Sequence, residues 1–411
     1  MAWVSTKYAV RSVGRNARRT ALSILGIGIG CALALFTESM NRGRDELFAR
    51  TGAYSGAGHL RVVPAGWSAS RDPRLRLADW HADLAAARTL PGIAAVTVRA
   101  RAQVLLAMGT HVVPVEMVGV DPENEPRTFR FVQKVQRGHY LLSGEQGTVV
   151  VGKAIAERLS ADLDDEILAS AVGKTGDIES AMLRIVGIVS TGSEEFDAGI
   201  CQVRLDDVER LTGLAGAGEV TAILDDWRAT DAARALLAPR LTSGDQALTW
   251  GDISPEFKGH MEQDKAASRF ISVIILLIVL LGVASAQLAA VLERRREFAV
   301  LSAVGMGAVP MVRLVLLEAL TLGFAGATVG LALGLPIVWR FARAGLDFRR
   351  FMGSGYAFQG VIIEPIIYGD FGVWIVPYVV AVAFGATIIA SLYPAWFAAR
   401  TDPAVALRVA Q

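Results

Sequence analysis

The chain has 411 residues, of which 53% are hydrophobic and 20% charged, and its mean hydropathy is +0.41. A soluble protein of this length is nearer half apolar and a quarter charged, so the apolar excess predicts membrane-spanning segments. The net charge of +1 excludes a bulk electrostatic attraction to nucleic acid. The two cysteines, Cys31 and Cys201, lie in very different segments and give no firm indication of redox compartment.

Four apolar stretches are long enough to cross a bilayer as helices, since a span needs about 20 mostly apolar residues. They are residues 21–41, 270–292, 311–339 and 371–398. The first lacks a small-x-small cleavage site at its end, so we expect a retained anchor and not a cleaved signal peptide. The predicted fold class is therefore an α-helical membrane protein with four transmembrane helices and one large extracytoplasmic α/β domain.

Flanking Lys and Arg residues predict the orientation of the four helices. Arg18 and Arg19 precede the first span, Arg294 follows the second, and Arg400 follows the fourth. These positions favour a cytoplasmic amphipathic segment at 1–20, a second cytoplasmic segment at 293–310 and a cytoplasmic tail at 399–411. The short outer loop at 340–370 also carries arginines, which is in tension with this assignment. We expect a multi-pass protein of the cell (inner) membrane with both termini in the cytoplasm.

Residues 42–267, between the first two spans, are predicted to form a folded periplasmic α/β domain of one or two subdomains. Its polar ends, Phe36–Arg50 and Ser254–Arg269, are compatible with helices that extend the spans outward as a stalk. The alternative is a pair of solvated linkers. The stretch Asp121–Arg127 has the composition of a subdomain junction. The remaining predicted elements are strands at His59–Val63, Val112–Val120, Thr148–Val151 and Met182–Val189, and helices at Leu77–Thr89, Lys153–Leu159 and Leu205–Thr212.

The segment Gly147–Lys153 matches the first part of a phosphate-binding loop but is followed by alanine where that loop needs Ser or Thr to hold magnesium. Three valines occupy the place of the flexible loop, and β-branched residues favour a strand. We therefore predict a strand here and no nucleotide site, so ATP and Mg are expected on another polypeptide and no cofactor on this chain.

No catalytic or metal-binding constellation is predicted. The histidines are scattered, without an HExxH pattern or a Cys/His cluster, and we expect each to be a surface or loop residue. A membrane-bound enzyme is accordingly disfavoured. The five histidines are His59, His81, His111, His139 and His260.

Small residues and one carboxylate are the notable features within the spans. Glycines four residues apart allow close approach of helix backbones in lipid, although glycine is also simply common in membrane helices. The predicted packing positions are Gly26, Gly30, Gly326, Gly330 and Gly334. Glu318 lies inside the third span, where a carboxylate is costly, and we expect it to make a structural bond.

The segment after the second span is the most informative in the chain. Charges cluster at its start, and Phe298, Leu301, Ser302 and Gly305 lie at helical spacing. A short amphipathic helix held by two spans suits docking into a groove on a partner. The alternative is an interfacial helix that lies passively in the headgroups.

Several blocks of the sequence resemble the MacB/FtsX permease superfamily of ABC transporters. They are ERRREFAVLSAVGMGAVPMVRLVLLEALTLGFAGATVGLALG at 293–334, the end Tyr393–Arg408, the entry to the first span from Arg15, and GTVVVGKAIAERL, LRIVGIVSTG and LDDVERLTG in the outer domain. MacB carries a fused ATPase, which this sequence does not. That departure, the length and the stretch Ile362–Pro365 favour the lipoprotein-releasing LolC/LolE branch.

The resemblance implies a permease that works as a homodimer or related heterodimer in the lipid bilayer with two copies of an ABC ATPase. In such proteins, ATPase closure moves a cytoplasmic coupling helix, and stalk helices relay the motion to the periplasmic domains. The residues predicted to couple to the ATPase are Glu293, Arg296, Glu297, Phe298, Leu301 and Gly305. This implies a non-catalytic subunit that extracts or exports a lipophilic or periplasmic cargo, with lipoprotein release as the first hypothesis.

Two other functions remain open from the sequence. One is export of a drug or peptide of the MacB type, with an export partner outside the membrane. The other belongs to another class, a mechanical signalling scaffold like FtsX that regulates a cell-wall hydrolase. Outer domains of the FtsX type are usually much smaller than residues 42–267, which disfavours the scaffold.

Overall fold

The computed structural model of the protein describes residues 17–348, 356–358, 361–363 and 366–400. The predictions for residues 1–16, for Glu364 and Pro365 and for the tail at 401–411 lie outside these ranges. The chain divides into two compact units, which we describe separately. The helical unit contains residues 1–44, 263–346 and 367–411, and the α/β unit contains residues 45–262 and 347–366.

Helices and strands are numbered separately, each in chain order. The helices are α1 (Ala17–Gly52), α2 (Trp67–Ser70), α3 (Trp80–Arg88), α4 (Glu125–Thr128), α5 (Lys153–Leu159), α6 (Glu194–Asp197), α7 (Leu205–Thr212), α8 (Thr230–Leu237), α9 (Trp250–Ile253), α10 (Pro255–Glu293), α11 (Arg295–Ala303), α12 (Ala308–Ala344) and α13 (Ile375–Ala399). The strands are β1 (Leu60–Val63), β2 (Ile93–Met108), β3 (His111–Val120), β4 (Val135–Gly138), β5 (Thr148–Gly152), β6 (Glu166–Val172), β7 (Ile178–Val189), β8 (Cys201–Arg204), β9 (Glu219–Leu224), β10 (Gln246–Thr249), β11 (Leu346–Asp347), β12 (Tyr356–Phe358), β13 (Val361–Ile363) and β14 (Ile366–Ile367).

Four helices of the described residues, α1, α10, α12 and α13, are long and apolar enough to cross a membrane. Two of them continue well beyond their apolar stretches. Helix α1 stays helical through the polar run after Phe36 and ends at Gly52. Helix α10 begins at Pro255, a residue that suits a first helical position because its missing N–H has no intrahelical partner there.

Within the helical unit, glycines of α12 bring it close to α1. A methyl group added at Gly330 would lie 2.6 Å from Cβ of Cys31, and one at Gly334 would lie 2.9 Å from a methyl carbon of Leu35. The Gly326 position abuts Ile27 in the same way. These positions recur every four residues, so they form one stripe of α12 on which side chains of α1 pack directly against the α12 backbone.

The α/β unit contains two β substructures that share strand β2. In the first, strands lie in the order β10-β1-β9-β2, and helices α3 and α8 pack against them. Its chain order of β1, α3, β2, β9, α8 and β10 is that of a split βαβ fold. In the second, β2, β3, β8, β5, β7 and β6 pair in sequence, and β6 pairs back with β2 to close a ring. Each substructure encloses its own apolar core.

Strand β2 changes its partners part way along its length. Residues 93–99 pair with β9, and residues 99–108 pair with β3, so Arg99 belongs to both registers. The side chains of Ala102, Val104 and Leu106 then alternate into the core of the ring. Of the strands β1–β10, sequence analysis predicted β1, β3, β5 and β7 and missed β2, β4, β6, β8, β9 and β10.

The segment that resembles a phosphate-binding loop forms strand β5, which lies between β7 and β8 and is buried along its whole length. A side chain at Gly152 would collide with the backbone oxygen of Asp197. The segment is therefore a central strand of the ring, as its three valines predict.

His59 lies in the loop before β1, as expected for a histidine of this chain, but it is buried. Only 3% of the surface of His59 is exposed. The N–H of Leu224 donates to His59 Nδ1 at 2.9 Å, so the ring proton resides on Nε2. Burial lowers the pKa of His59 to about 4, with a smaller opposing effect from Asp226. Sequence analysis placed His59 at the start of a predicted strand, whereas the strand begins at Leu60.

Candidate functional site

The segment that follows the second long helix forms a separate short helix, α11, in the helical unit. Phe298 and Ala299 are buried on one side of it. Phe298 packs in a cluster with residues of α10, α12 and α13, namely Val291, Met311, Leu314, Val315, Ala395 and Ala398. Helix α11 is therefore fastened to the ends of three long helices and is not a solvated loop.

Arg294 connects the start of α11 to α12. Its Nη1 lies 2.9 Å from a carboxylate oxygen of Glu318, and its Nε donates to Glu297 at 3.0 Å. Both carboxylates are only partly exposed, so these charge-assisted bonds are screened less than surface pairs. The guanidinium also lies 5.5 Å from the ring centre of Phe298. The intramembrane carboxylate Glu318 thus has its partner at the beginning of α11.

The opposite side of α11 is exposed. Arg296, Val300 and Val304 follow one another at four-residue intervals, and the two valines are 50% and 82% exposed. Leu301 lies between the two sides and packs on the buried cluster. We call Arg296 and Val300, together with Val304 directly after the helix, the outer face of α11. An exposed apolar stripe beside an arginine, on a helix with a fixed inner side, has the form of a docking element.

Two of the predicted coupling residues lie outside α11. Glu293 is the last residue of α10 and is exposed. Gly305 was predicted at helical spacing, but the helix ends at Ala303 and Gly305 has a φ of 100°. This correction has a simple cause, since the Gly305-Met-Gly307 sequence supplies the glycine that a helix needs to end with positive φ.

A groove of about 570 Å³ runs between α1 and α10, and the predicted packing glycines Gly26 and Gly30 lie along it. A side chain at Gly30 would meet Val279, whereas nothing lies within 4 Å of a side chain at Gly26. The groove is apolar, and Ile278 on its rim is 66% exposed. The packing role of Gly26 stays a prediction.

The α/β unit holds a buried cluster of charges that sequence analysis missed. Glu219 accepts from Arg101 at 3.2 Å and lies 3.2 Å from Arg61, while Glu125 pairs with Arg99 at 2.9 Å. Burial would raise the pKa of Glu219, but Arg101, Arg61 and Arg99 outweigh it and lower the pKa to about 2. Burial lowers the pKa of Arg61 to about 10, opposed by Glu219.

The sequence carried a faint signal for this cluster. Thr97, Arg99 and Arg101 alternate with apolar residues, which is typical of a strand with one side in water. That pattern predicts a solvated row of polar side chains, and only the meeting of two β substructures at β2 buries Thr97 and Arg99.

Both parts of the chain match known protein families. Residues 20–239 match the family description MacB-like periplasmic core domain, and residues 269–403 match FtsX-like permease C-terminal. The chain is 24% identical over 424 residues to the lipoprotein-releasing system transmembrane protein LolC of Neisseria meningitidis serogroup B, a similarity that covers 99% of this chain and 98% of that protein.

Two further similarities involve MacB proteins. The chain is 26% identical over 364 residues to the macrolide export ATP-binding/permease protein MacB of Shewanella oneidensis, covering 84% of this chain and 54% of that protein. The crystal structure of the periplasmic region of MacB from Actinobacillus actinomycetemcomitans superposes with a TM-score of 0.35 and 13% identity, covering 49% of this chain and 94% of that one.

Proposed function

Because the chain belongs to the family of FtsX-like permeases with a MacB-like periplasmic core domain, we propose that it is the membrane subunit of an ABC transporter that releases lipoproteins. The subunit is itself non-catalytic. Two copies of a separate ABC ATPase bind the ATP and Mg, and the cargo is handled by the domain outside the cytoplasm. The similarity to LolC proteins over nearly the whole chain supports lipoproteins as the cargo.

The geometry of α11 is the observation that carries the coupling role. A docking helix must transmit force, so its inner side has to be fixed while its outer side stays available. Phe298 and Ala299 are buried, and Arg294 bridges α11 to Glu318 on α12. The outer face of Arg296, Val300 and Val304 then meets the ATPase, and movement of the ATPase displaces α11 together with α12.

The lengths of α1 and α10 support the second step, in which motion leaves the membrane. A helix rises about 1.5 Å per residue, so the 36 residues of α1 and the 39 of α10 extend over about 54 and 58 Å. The apolar core of a bilayer is only about 30 Å thick. In the proposed topology both termini are cytoplasmic, residues 42–267 are periplasmic, and these helices carry the stroke outward in the inner membrane.

A second permease, identical or related, is part of the proposal. Only 11% of the most apolar stretch of α10 is buried, against 44% for α12. The groove between α1 and α10 is lined by Gly26 and Gly30, and small residues allow helices to approach closely in lipid. The partner permease covers this face in the assembled transporter.

Export of a macrolide-like compound is the second candidate function, and the similarity to MacB proteins favours it. The two candidates differ in what stimulates the transporter. In nanodiscs, a triacylated lipoprotein raises the ATPase rate if the leading proposal holds, whereas a macrolide raises it if the second holds.

The docking proposal is tested by placing a charge on the outer face of α11. In Val300→Asp, a carboxylate enters an apolar contact, so the tagged chain is expected to insert into membranes but no longer to co-purify with its ATPase. Val373→Asp is the matched control, because Val373 is also an exposed valine, 96% exposed, in the loop before α13. Equal recovery of the ATPase with both variants would refute docking through this face.

A further inference from the structure

The turn that ends α1 is held by buried arginines. Residues Ala53–Ala57 continue α1 as a turn of wider helix, and Gly56 within it has a φ of 111°. The carbonyl oxygen of Gly56 accepts hydrogen bonds from Arg99 Nη1 at 2.5 Å and from Arg61 Nη2 at 2.7 Å. The carbonyls at a helix end carry partial negative charge, which these two cations complement.

Arg99 is in turn held by two residues of α4, Glu125 and Thr128. Its Nε lies 2.9 and 3.0 Å from the two carboxylate oxygens of Glu125, and its Nη2 donates to Thr128 at 3.3 Å. Glu125 also accepts from Thr97 and Gln202. Arg99 and Glu125 are 2% and 1% exposed, so the guanidinium has one orientation defined by residues of β2, α4 and β8.

Arg99 lies at the position along β2 where the strand changes its pairing partners. Arg99 pairs with Glu219 of β9 and with Val120 of β3, so it takes part in both registers of the strand. On one side of it β2 belongs to the split βαβ substructure, and on the other side to the closed ring. A displacement of the Gly56 carbonyl therefore reaches the strand at the point where the two cores meet.

From these contacts we propose that Arg99 is a positioning residue that transmits movement of α1 to both β substructures at once. The inference rests on the proposed function, in which α1 carries the stroke out of the membrane. A buried ion pair contributes little net stability, and apolar side chains of similar volume often serve as well or better. The bidentate, planar guanidinium instead gives a connection with a fixed direction.

The test removes both buried charges together, so that neither is left unpaired. Arg99→Met/Glu125→Gln is compared with Arg137→Met/Asp162→Asn, an exposed ion pair of the same unit. Arg137 donates to Asp162 at 3.0 Å and the two side chains are 53% and 56% exposed, whereas the Gly56 carbonyl accepts from Arg99 and Arg61. Both double variants are expected to fold and to keep the basal ATPase rate.

Two readouts separate the role of Arg99 from the proposed function. Both native cysteines are buried, so spin labels are directed to cysteines introduced at the exposed positions Arg50 on α1 and Leu168 on the ring. In nanodiscs, the label distance is expected to be narrowly distributed in the wild type and the control, and broad in the Arg99→Met/Glu125→Gln variant. In the complete transporter, the same variant is expected to lose stimulation of ATP hydrolysis by lipoprotein.

An unchanged distance distribution in the Arg99→Met/Glu125→Gln variant would overturn the proposal whatever the transporter does. So would undiminished stimulation by lipoprotein. A wild-type transporter that ignores lipoprotein would instead contradict the proposed function, while the distance measurement still decides the role of Arg99. If the double variant does not fold, Arg99→Lys keeps the charge but loses the planar fork, and it is expected to broaden the distances to a smaller extent.

Discussion

The helical unit and the α/β unit place the same kinds of residue in opposite ways. In the helical unit, large apolar side chains such as Phe270, Ile278 and Leu281 are about two-thirds exposed. In the α/β unit, the charged side chains of Arg99, Glu125 and Glu219 are almost completely buried. In water the first arrangement favours aggregation, whereas in a bilayer it costs nothing because lipid tails are as apolar as leucine.

The comparison teaches what stabilises each unit. Between membrane helices there is little hydrophobic drive, so α1 and α12 depend on close contact at small residues such as Gly330. In the α/β unit, burial of apolar side chains supplies the drive, and the buried charges must be paired to be tolerated. Unpairing a charge should therefore be costly in the α/β unit, and filling a small space should be the damaging change in the helical unit.

The largest effect is expected when a charge of the α/β unit is unpaired. Glu125→Ala leaves Arg99 buried without its bidentate partner, which should lower the free energy of unfolding by about 3–5 kcal/mol. Glu116→Ala removes a partly exposed partner of Arg101 and should cost about 1 kcal/mol or less. Denaturant unfolding of the full chain in detergent measures both, and equal losses would contradict the comparison.

A pH effect of nearly the same size is expected from His59. Its pKa in the folded protein, about 4, lies below the ordinary value of 6.5. The unfolded chain therefore takes up the proton first as the pH falls, and stability present above pH 6.5 is lost between pH 6.5 and 4, by about 3 kcal/mol in total. The free energy of unfolding, plotted against pH across this range, should lose the slope that His59 causes when His59 is replaced in His59→Gln.

The exposed His139 provides the control for this titration. His139→Gln should retain the slope of the wild type between pH 6.5 and 4. A slope that survives in His59→Gln would assign the pH dependence to other groups.

A smaller effect is expected from filling a contact between membrane helices. Gly330→Leu forces α1 and α12 apart, and overpacking of this kind costs about 1–3 kcal/mol. Gly385→Leu is the matched control, since a side chain at Gly385 on α13 has nothing within 4 Å. Thermal unfolding in detergent should give a lower midpoint temperature for Gly330→Leu than for Gly385→Leu. A Gly385→Leu protein as unstable as Gly330→Leu would show that contact with α1 is not the cause.

The four apolar helices were predictable because length and composition alone decide whether a segment can span a bilayer. The segment at Gly147–Lys153 was also interpreted correctly, because its three valines oppose a loop. Long-range contacts were not accessible in the same way. Nothing in the local pattern of β2 indicates that its two halves pair with different strands, and the burial of Arg99 follows from that pairing.

In the predicted coupling segment, too, local sequence predicted the helix but not its end or its long-range contacts. The charges and apolar spacing after the second span predicted a short helix, and α11 is present at Arg295–Ala303. Its end was misplaced, because helical spacing continues to Gly305 while the glycine itself favours a turn. The bond between Arg294 and Glu318 joins residues 24 positions apart, so it depends on how α10 and α12 pack.

The most direct test of the account is purification of the tagged chain from native membranes in mild detergent, followed by identification of the proteins that accompany it. The account predicts a separate ABC ATPase, together with a second permease or lipoproteins. Recovery of the chain without any ATPase, under conditions that keep known transporters intact, would contradict the proposal that this chain is the membrane subunit of an ABC transporter.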